Sequence, residues 1–298
     1  MSDDAIIVDR GYRTWDGERG GIGTIRWAIT VDALRRAFGL GRRARAKIFP
    51  WAMLALASLI ALVVTGLYVA AGVVAGGLPA ELLAELPSHA ELFGWYSAIA
   101  LVFVAAVGPG MLIPERRDGT LGLVLSRPLT VNDYLLAKAL AYVLVVGSIQ
   151  VVPQLVLWIG RAAVATDALA YVSEAGPVLW QVPVVAAATL LAQGTIMMVA
   201  ATWINRPGIA AAAFLGVWAA IAPIMGELSG LDVPGARFLA LGNVNEHSSI
   251  VGNWVFGEPQ GITSMRSAGF DPWLSAVIIV VLAVAAAAMV QRRYRSLA

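Results

Sequence analysis

Long apolar runs alternate with short polar connectors along this chain. A bilayer-spanning helix needs about 20 mostly apolar residues, and six runs are candidates: 50–76, 92–113, 135–160, 178–204, 208–225 and 273–290. None carries Asp, Glu, Lys, Arg or His at its centre. The pattern differs between 22 and 40. There Trp27, Val31, Leu34 and Phe38 recur at helical spacing, with Arg35 and Arg36 beside them and Asp32 one turn before Arg36. Ile22, Ile25 and Ile29 form a second strip that points elsewhere. This predicts an amphipathic helix that lies on a membrane surface and also touches protein. Gly39 and Gly41 close it, and Arg42, Arg43, Arg45 and Lys47 form a basic collar before Pro50, suited to anionic headgroups.

Composition strengthens this picture. The 298 residues are 59% hydrophobic and 13% charged, against about 25% charged in a typical soluble domain. Too few charges are present to coat a water-soluble surface, and mean hydropathy is +0.77. The expected fold class is an all-α integral membrane protein, with six transmembrane helices and an N-terminal amphipathic surface helix. Residues 1–49 form the N-terminal segment, 50–290 the six-span domain, 226–272 a long loop before the last span and 291–298 a tail. A signal peptide is not expected, because a mainly polar and amphipathic segment precedes the first long apolar run.

Charge sets the orientation. With six spans both termini share one side. The other side carries Arg161, Arg237 and Arg266, and the remaining eighteen of the 21 Lys and Arg fall on the side of the termini. The positive-inside rule then places both termini in the cytoplasm. Trp51 and Trp203 fall near the inner interface, and Trp95, Trp158, Trp180 and Trp273 near the outer one. The Ala, Gly and Arg bias is that of a GC-rich bacterial genome, which makes a bacterial cell membrane the expected location. A net charge of +2 argues against nucleic acid as a partner. With no Cys and only His89 and His247, far apart in sequence, no metal site is expected.

Residues 114–134, between the second and third spans, carry the most specific pattern. A charged cluster, Glu115, Arg116, Arg117 and Asp118, is followed by Gly119, Thr120 and an apolar stretch from Leu121 to Leu125. The stretch breaks at Ser126-Arg127-Pro128, and Thr130 with Asp133 has the form of a capping box that starts the next helix. A short helix with exposed leucines and a charged rim has the makings of a docking surface. The segment Glu115…Asp118-Gly119-Thr120-Leu121…Leu125-Ser126-Arg127-Pro128-Leu129…Tyr134-Leu135-Leu136…Lys138 resembles the corresponding loop of ABC-2-type transporter permeases. The surface helix, the six spans and the long loop before the last span are similar to that family as well. The resemblance implies that 114–134 holds a coupling helix seated in a groove of a separate ATPase, with contacts from Glu115, Arg116, Arg117, Asp118, Gly119, Thr120, Leu121 and Leu125. It implies two ATP-binding cassette subunits, which bind ATP and Mg, and a second permease half, identical or homologous. It further implies short re-entrant helices within 226–272.

A phosphate-binding loop needs Gly-x-x-x-x-Gly-Lys-Ser/Thr, but the only lysines, Lys47 and Lys138, precede Ile48 and Ala139. The chain itself is therefore expected to bind no nucleotide or other cofactor and to be no enzyme. Within the spans, Gln150, Gln154, Gln193 and Thr195 fit either a translocation path or hydrogen bonds between helices. Pro153 is a potential kink, and Gly72 with Gly76 forms one weak Gly-x-x-x-Gly. Glu246, His247 and Ser248 are adjacent, and neighbours in sequence rarely converge on one substrate atom. The reading is a permease subunit moving a hydrophobic or amphipathic substrate outward. An ion-coupled secondary transporter is the alternative, disfavoured by the absence of an ionisable relay at mid-span. A lipid-modifying membrane enzyme would need clustered carboxylates or histidines.

Overall fold

A computed structural model of the chain describes residues 20–73, 86–126, 129–165 and 167–297. All regular structure among them is helical. In chain order the helices are α1 (Ile22–Ala37), α2 (Arg45–Val73), α3 (His89–Val107), α4 (Pro109–Arg117), α5 (Leu121–Leu125), α6 (Val131–Val164), α7 (Ala168–Glu174), α8 (Val178–Trp203), α9 (Pro207–Gly216), α10 (Ala222–Leu228), α11 (Val244–Phe256), α12 (Ser264–Ser267) and α13 (Pro272–Arg295). A π-helical turn, Val217–Ile221, joins α9 to α10, and a 3₁₀ segment, Ala236–Gly242, precedes α11.

Among the described residues six stretches are long and apolar enough to cross a membrane: Arg45–Ala70, His89–Arg117, Val131–Ala163, Val178–Trp203, Pro207–Leu228 and Pro272–Arg295. They match the six apolar runs in number and order. Their ends differ because polar caps and basic turns extend helices beyond the apolar core. The first helix starts at Arg45, so two collar residues, Arg45 and Lys47, lie in its first turn. Pro50 inside this helix removes the donor that would reach the Ala46 carbonyl. The Gly39 turn, at φ +66°, packs so close to that carbonyl that a Cβ would stand 2.4 Å from it. The second span is two helices meeting at Gly108, where a Cβ would lie 2.6 Å from Met197 Cγ. Arg127, Pro128 and Gly76 lie outside the described residues.

The spans divide into a core and a periphery. The α3–α4, α6 and α8 spans bury about half of their residues within the chain, whereas α2, the α9–α10 span and α13 leave most of theirs bare. Tyr96, Phe103, Ile149, Leu157, Met197 and Phe214 fill the centre. Lipid tails are as apolar as Leu, so this core gains from close packing more than from leaving water. Small residues therefore decide where helices touch. Gly160 takes Thr65 of α2 against its backbone, and Gly194 takes the ring of Tyr142, whose hydroxyl donates to the Leu190 carbonyl at 3.2 Å.

Helix α1 lies across one end of the bundle, beside α4 and α6. The first turn of α6, the last turn of α13 and the end of α8 meet at the same end. We call this the basic end, since Arg26, Arg35, Arg36, Arg42, Arg43, Arg292, Arg293 and Arg295 gather there. Helices α7, α11 and α12 lie at the far end.

Candidate functional site

The basic end is tied together by charged side chains. Glu115 ends α4 pointing inward, and its Oε1 accepts from Lys138 Nζ of α6 at 2.6 Å. Both side chains are buried, at 7% and 2% exposure. Arg36 of α1 approaches the same oxygen at 3.4 Å while pairing with Asp32 at 2.8 Å. Lys138 Nζ also lies 5.4 Å from the centroid of the Tyr134 ring. Tyr134 stacks on Tyr294 of α13, whose hydroxyl donates to the Leu112 carbonyl at 3.3 Å. One carboxylate thus sits at a junction of α1, α4 and α6, with α13 packed alongside.

Arg116 faces the next helix. Its Nη2 donates to the Ile204 carbonyl at 2.9 Å, its Nε to Asn205 Oδ1 at 3.1 Å, and its Nη1 to the Thr202 carbonyl. Helix α8 ends at Trp203, so the guanidinium satisfies carbonyls that a helix terminus leaves without intrahelical partners. Arg26 pairs with Asp133, which also closes the capping box with Thr130. Thr30 Oγ1 donates to the Ala137 carbonyl at 3.1 Å. The protein-facing side of α1 therefore runs through Arg26, Thr30 and Ala33. Trp27 of the predicted apolar strip is exposed, and Val31, Leu34 and Phe38 are half-buried.

The sequence-predicted docking residues separate into two groups. Glu115, Arg116 and Leu121 are occupied within the chain, with Leu121 packed against Leu112, Ile113 and Tyr134. Arg117, Asp118, Gly119 and Thr120 are exposed, Arg117 and Asp118 pairing with each other at 2.8 Å. Gly119 turns the chain at φ +68°. Leu125 is half-buried, while Leu123, which sequence reasoning did not single out, is 72% exposed. Its place at the middle of the apolar stretch from Leu121 to Leu125 was the available signal. The collar residues Arg42, Arg43, Arg45 and Lys47 are all exposed.

Gln150, Gln154 and Gln193 of the spans are fully buried in the bundle. Gln154 Nε2 donates to the His89 carbonyl at 2.9 Å, and its Oε1 meets His89 Nδ1 at 2.5 Å. Gln193 Nε2 donates to the Ser97 carbonyl at 3.0 Å. Both bridge to α3 and hold helices together. Gln150 is fully buried, with neither amide atom partnered among the described residues. Thr195 stands apart from the three glutamines and lines a 630 Å³ groove between α6, α8 and α13.

At the far end, two cavities share Asn245 and Ser249. The outer, of 490 Å³, is lined by Glu227, Asn243, Glu246 and Ser264, and the deeper, of 240 Å³, reaches Ser97, Thr189 and Trp218. Glu246 accepts from the Ser264 backbone at 2.9 Å and its hydroxyl at 2.7 Å, pinning α12 to α11. His247 is fully buried. Its Nε2 donates to the Leu241 carbonyl at 3.1 Å, which leaves Nδ1 to accept from Ser275 of α13, also at 3.1 Å. Burial lowers its pKa below the usual value, against the Leu241 carbonyl and the Glu246 carboxylate, which pull it upward. A depressed histidine pKa means that the unfolded chain takes up the proton first. Its contribution to stability is thus complete above about pH 6.5 and is lost as pH falls below it. Thermal unfolding of wild type and His247→Gln from about pH 4.5 to about pH 8, on both sides of the ordinary histidine value, checks this. The variant is expected to lose less stability on acidification.

Comparison with protein-family models and with curated proteins returned no match.

Proposed function

We propose that this chain is the membrane half of an ATP-driven exporter, moved by a separate ATPase that docks on α5 from the cytoplasm. The observation that supports this most is the setting of α5. It projects from the basic end with Leu123 bare, while the α4 segment that carries it is bound to α1 and α6 through Glu115 and to α8 through Arg116. A push on α5 would therefore reach several helices at once. The eighteen-to-three charge bias supports a cytoplasmic position for this end, where ATP is available. The resemblance of 114–138 to permease coupling loops supplies the partner: two ATP-binding cassette subunits carrying ATP and Mg, beside a second permease half. The cargo is an amphipathic molecule, in keeping with the far-end cavities, whose linings mix serine and asparagine with apolar side chains.

In this reading Glu115 and Arg116 are positioning residues, and the contact surface is Arg117, Asp118, Gly119, Thr120, Leu123 and Leu125. Leu123→Asp adds a charge to an exposed apolar surface and removes little internal packing. It is expected to leave thermal stability unchanged and to abolish co-purification of an ATP-hydrolysing cassette subunit. Retention of that subunit and its activity by the variant, or its absence from wild type purified in mild detergent, overturns the proposal.

A further inference from the structure

The 630 Å³ groove between α6, α8 and α13 opens sideways, toward what would be lipid if these helices span the membrane. Its walls are apolar for most of their length, through Leu135, Leu136, Val143, Leu191, Met198 and Val284. The size lies within the range of about 300–1,000 Å³ usual for ligand sites. On α6 the lining runs from Asn132 to Val143, about 16 Å at 1.5 Å per residue. That is roughly half of a hydrocarbon core of about 30 Å. The groove therefore spans the depth of one leaflet, the one at the basic end.

Apart from Tyr142 and Thr195, its polar side chains lie toward that end. Gln291 donates to Asn132 at 2.7 Å, and both line the groove. One helical turn further out, Arg295 shares a helix face with Gln291, and Arg292 with the lining residue Ala288. Both arginines are exposed, and none of the Arg292, Arg293 and Arg295 guanidinium groups is in an ion pair among the described residues. Lys138 also lines the groove, but its ammonium is taken by Glu115. Among the described residues no carboxylate lines the groove. An apolar slot one leaflet deep, ending in two amides and free guanidinium groups, matches a single molecule with an acyl chain and an anionic head.

We propose that this groove is a binding site for an anionic phospholipid of the leaflet at the basic end, with an acyl chain along α6 and α13 and the phosphate at Gln291, Arg292 and Arg295. It rests on these helices spanning the membrane and not on the exporter reading, since no ATPase takes part. Positive charge near a membrane surface attracts anionic lipid by about 1 kcal/mol per residue, roughly a fivefold preference.

The test uses the full chain in nanodiscs of mixed phosphatidylglycerol and phosphatidylcholine with identical acyl chains. Retained lipid is counted by native mass spectrometry after detergent extraction. Wild type is expected to keep one phosphatidylglycerol per chain. Ala287→Trp, on an exposed lining position, is expected to lose it by filling the slot. Arg292→Gln with Arg295→Gln is expected to keep a lipid but to lose the preference for phosphatidylglycerol, by about fivefold for each arginine. Unchanged retention in Ala287→Trp, or equal retention of both lipids by wild type, overturns the proposal. So does a change of oligomer mass in Ala287→Trp at constant lipid count, which would place a protein helix in the groove instead.

Discussion

Glu115→Ala is expected to cost about 3–5 kcal/mol of folding stability, the usual penalty for removing one partner of a buried ion pair. The pair itself need not be stabilising relative to an apolar one. Desolvating two charges offsets most of their attraction, and the damage comes from the charge left alone. That argument gives an asymmetry. Without Glu115, the 2%-exposed Lys138 ammonium keeps no carboxylate at ion-pairing distance among the described residues, and Asp32 acts on it only from further away. Without Lys138, Glu115 still has Arg36 at 3.4 Å. Lys138→Met is thus expected to be milder than Glu115→Ala, and the double variant Glu115→Gln, Lys138→Met to recover much of the loss. Thermal unfolding in detergent checks the order, with the midpoint of Glu115→Ala lower by on the order of 10 °C. Equal losses in both single variants would show that Arg36 does not support the carboxylate.

This pair also marks the limit of what the linear pattern reveals. Six spans were legible because each is an uninterrupted apolar run, and length alone distinguishes a span from a core helix. The Thr130–Asp133 capping box and the Asp32–Arg36 pair were legible because they are local, set by spacings of three and four on a helix. Glu115 and Arg116 were not. A cluster of four charges in a connector reads as a solvated or docking surface, and nothing near it in sequence shows that two of the four turn inward. Their partners lie at Lys138, Arg36, Thr202 and Ile204, brought close only by packing of the spans. The contact face of α1 was hidden for a related reason. Apolar periodicity gives weight to Trp27 and Phe38, whereas close approach to α6 uses Thr30 and Ala33, whose small side chains let the backbones near each other. The inward direction of the glutamines was readable from the expense of polar groups in lipid. Their partners on α3, the His89 and Ser97 carbonyls, were not.

Arg116→Ala is expected to be the second large loss, about 2–3 kcal/mol, from hydrogen bonds made by a charged donor to partly buried acceptors. The guanidinium bridges the end of α4 and the turn after α8, so its removal acts on the geometry between two spans as well as on one helix terminus. The Thr202 and Ile204 carbonyls would then have to find water at a crowded junction. Arg116→Lys keeps the charge but loses the planar fork that reaches three acceptors at once, so it is expected to recover less than half of the stability. Hydrogen exchange separates this from a general weakening: faster exchange in Arg116→Ala should concentrate in residues 198–206, with α2 and α11 unchanged. If exchange rises uniformly along the chain, Arg116 is not a specific clamp between α4 and α8. If it rises only at the α8 end while exchange in α4 and α6 around the Glu115–Lys138 pair is unchanged, the two ties that suspend α5 are not equivalent.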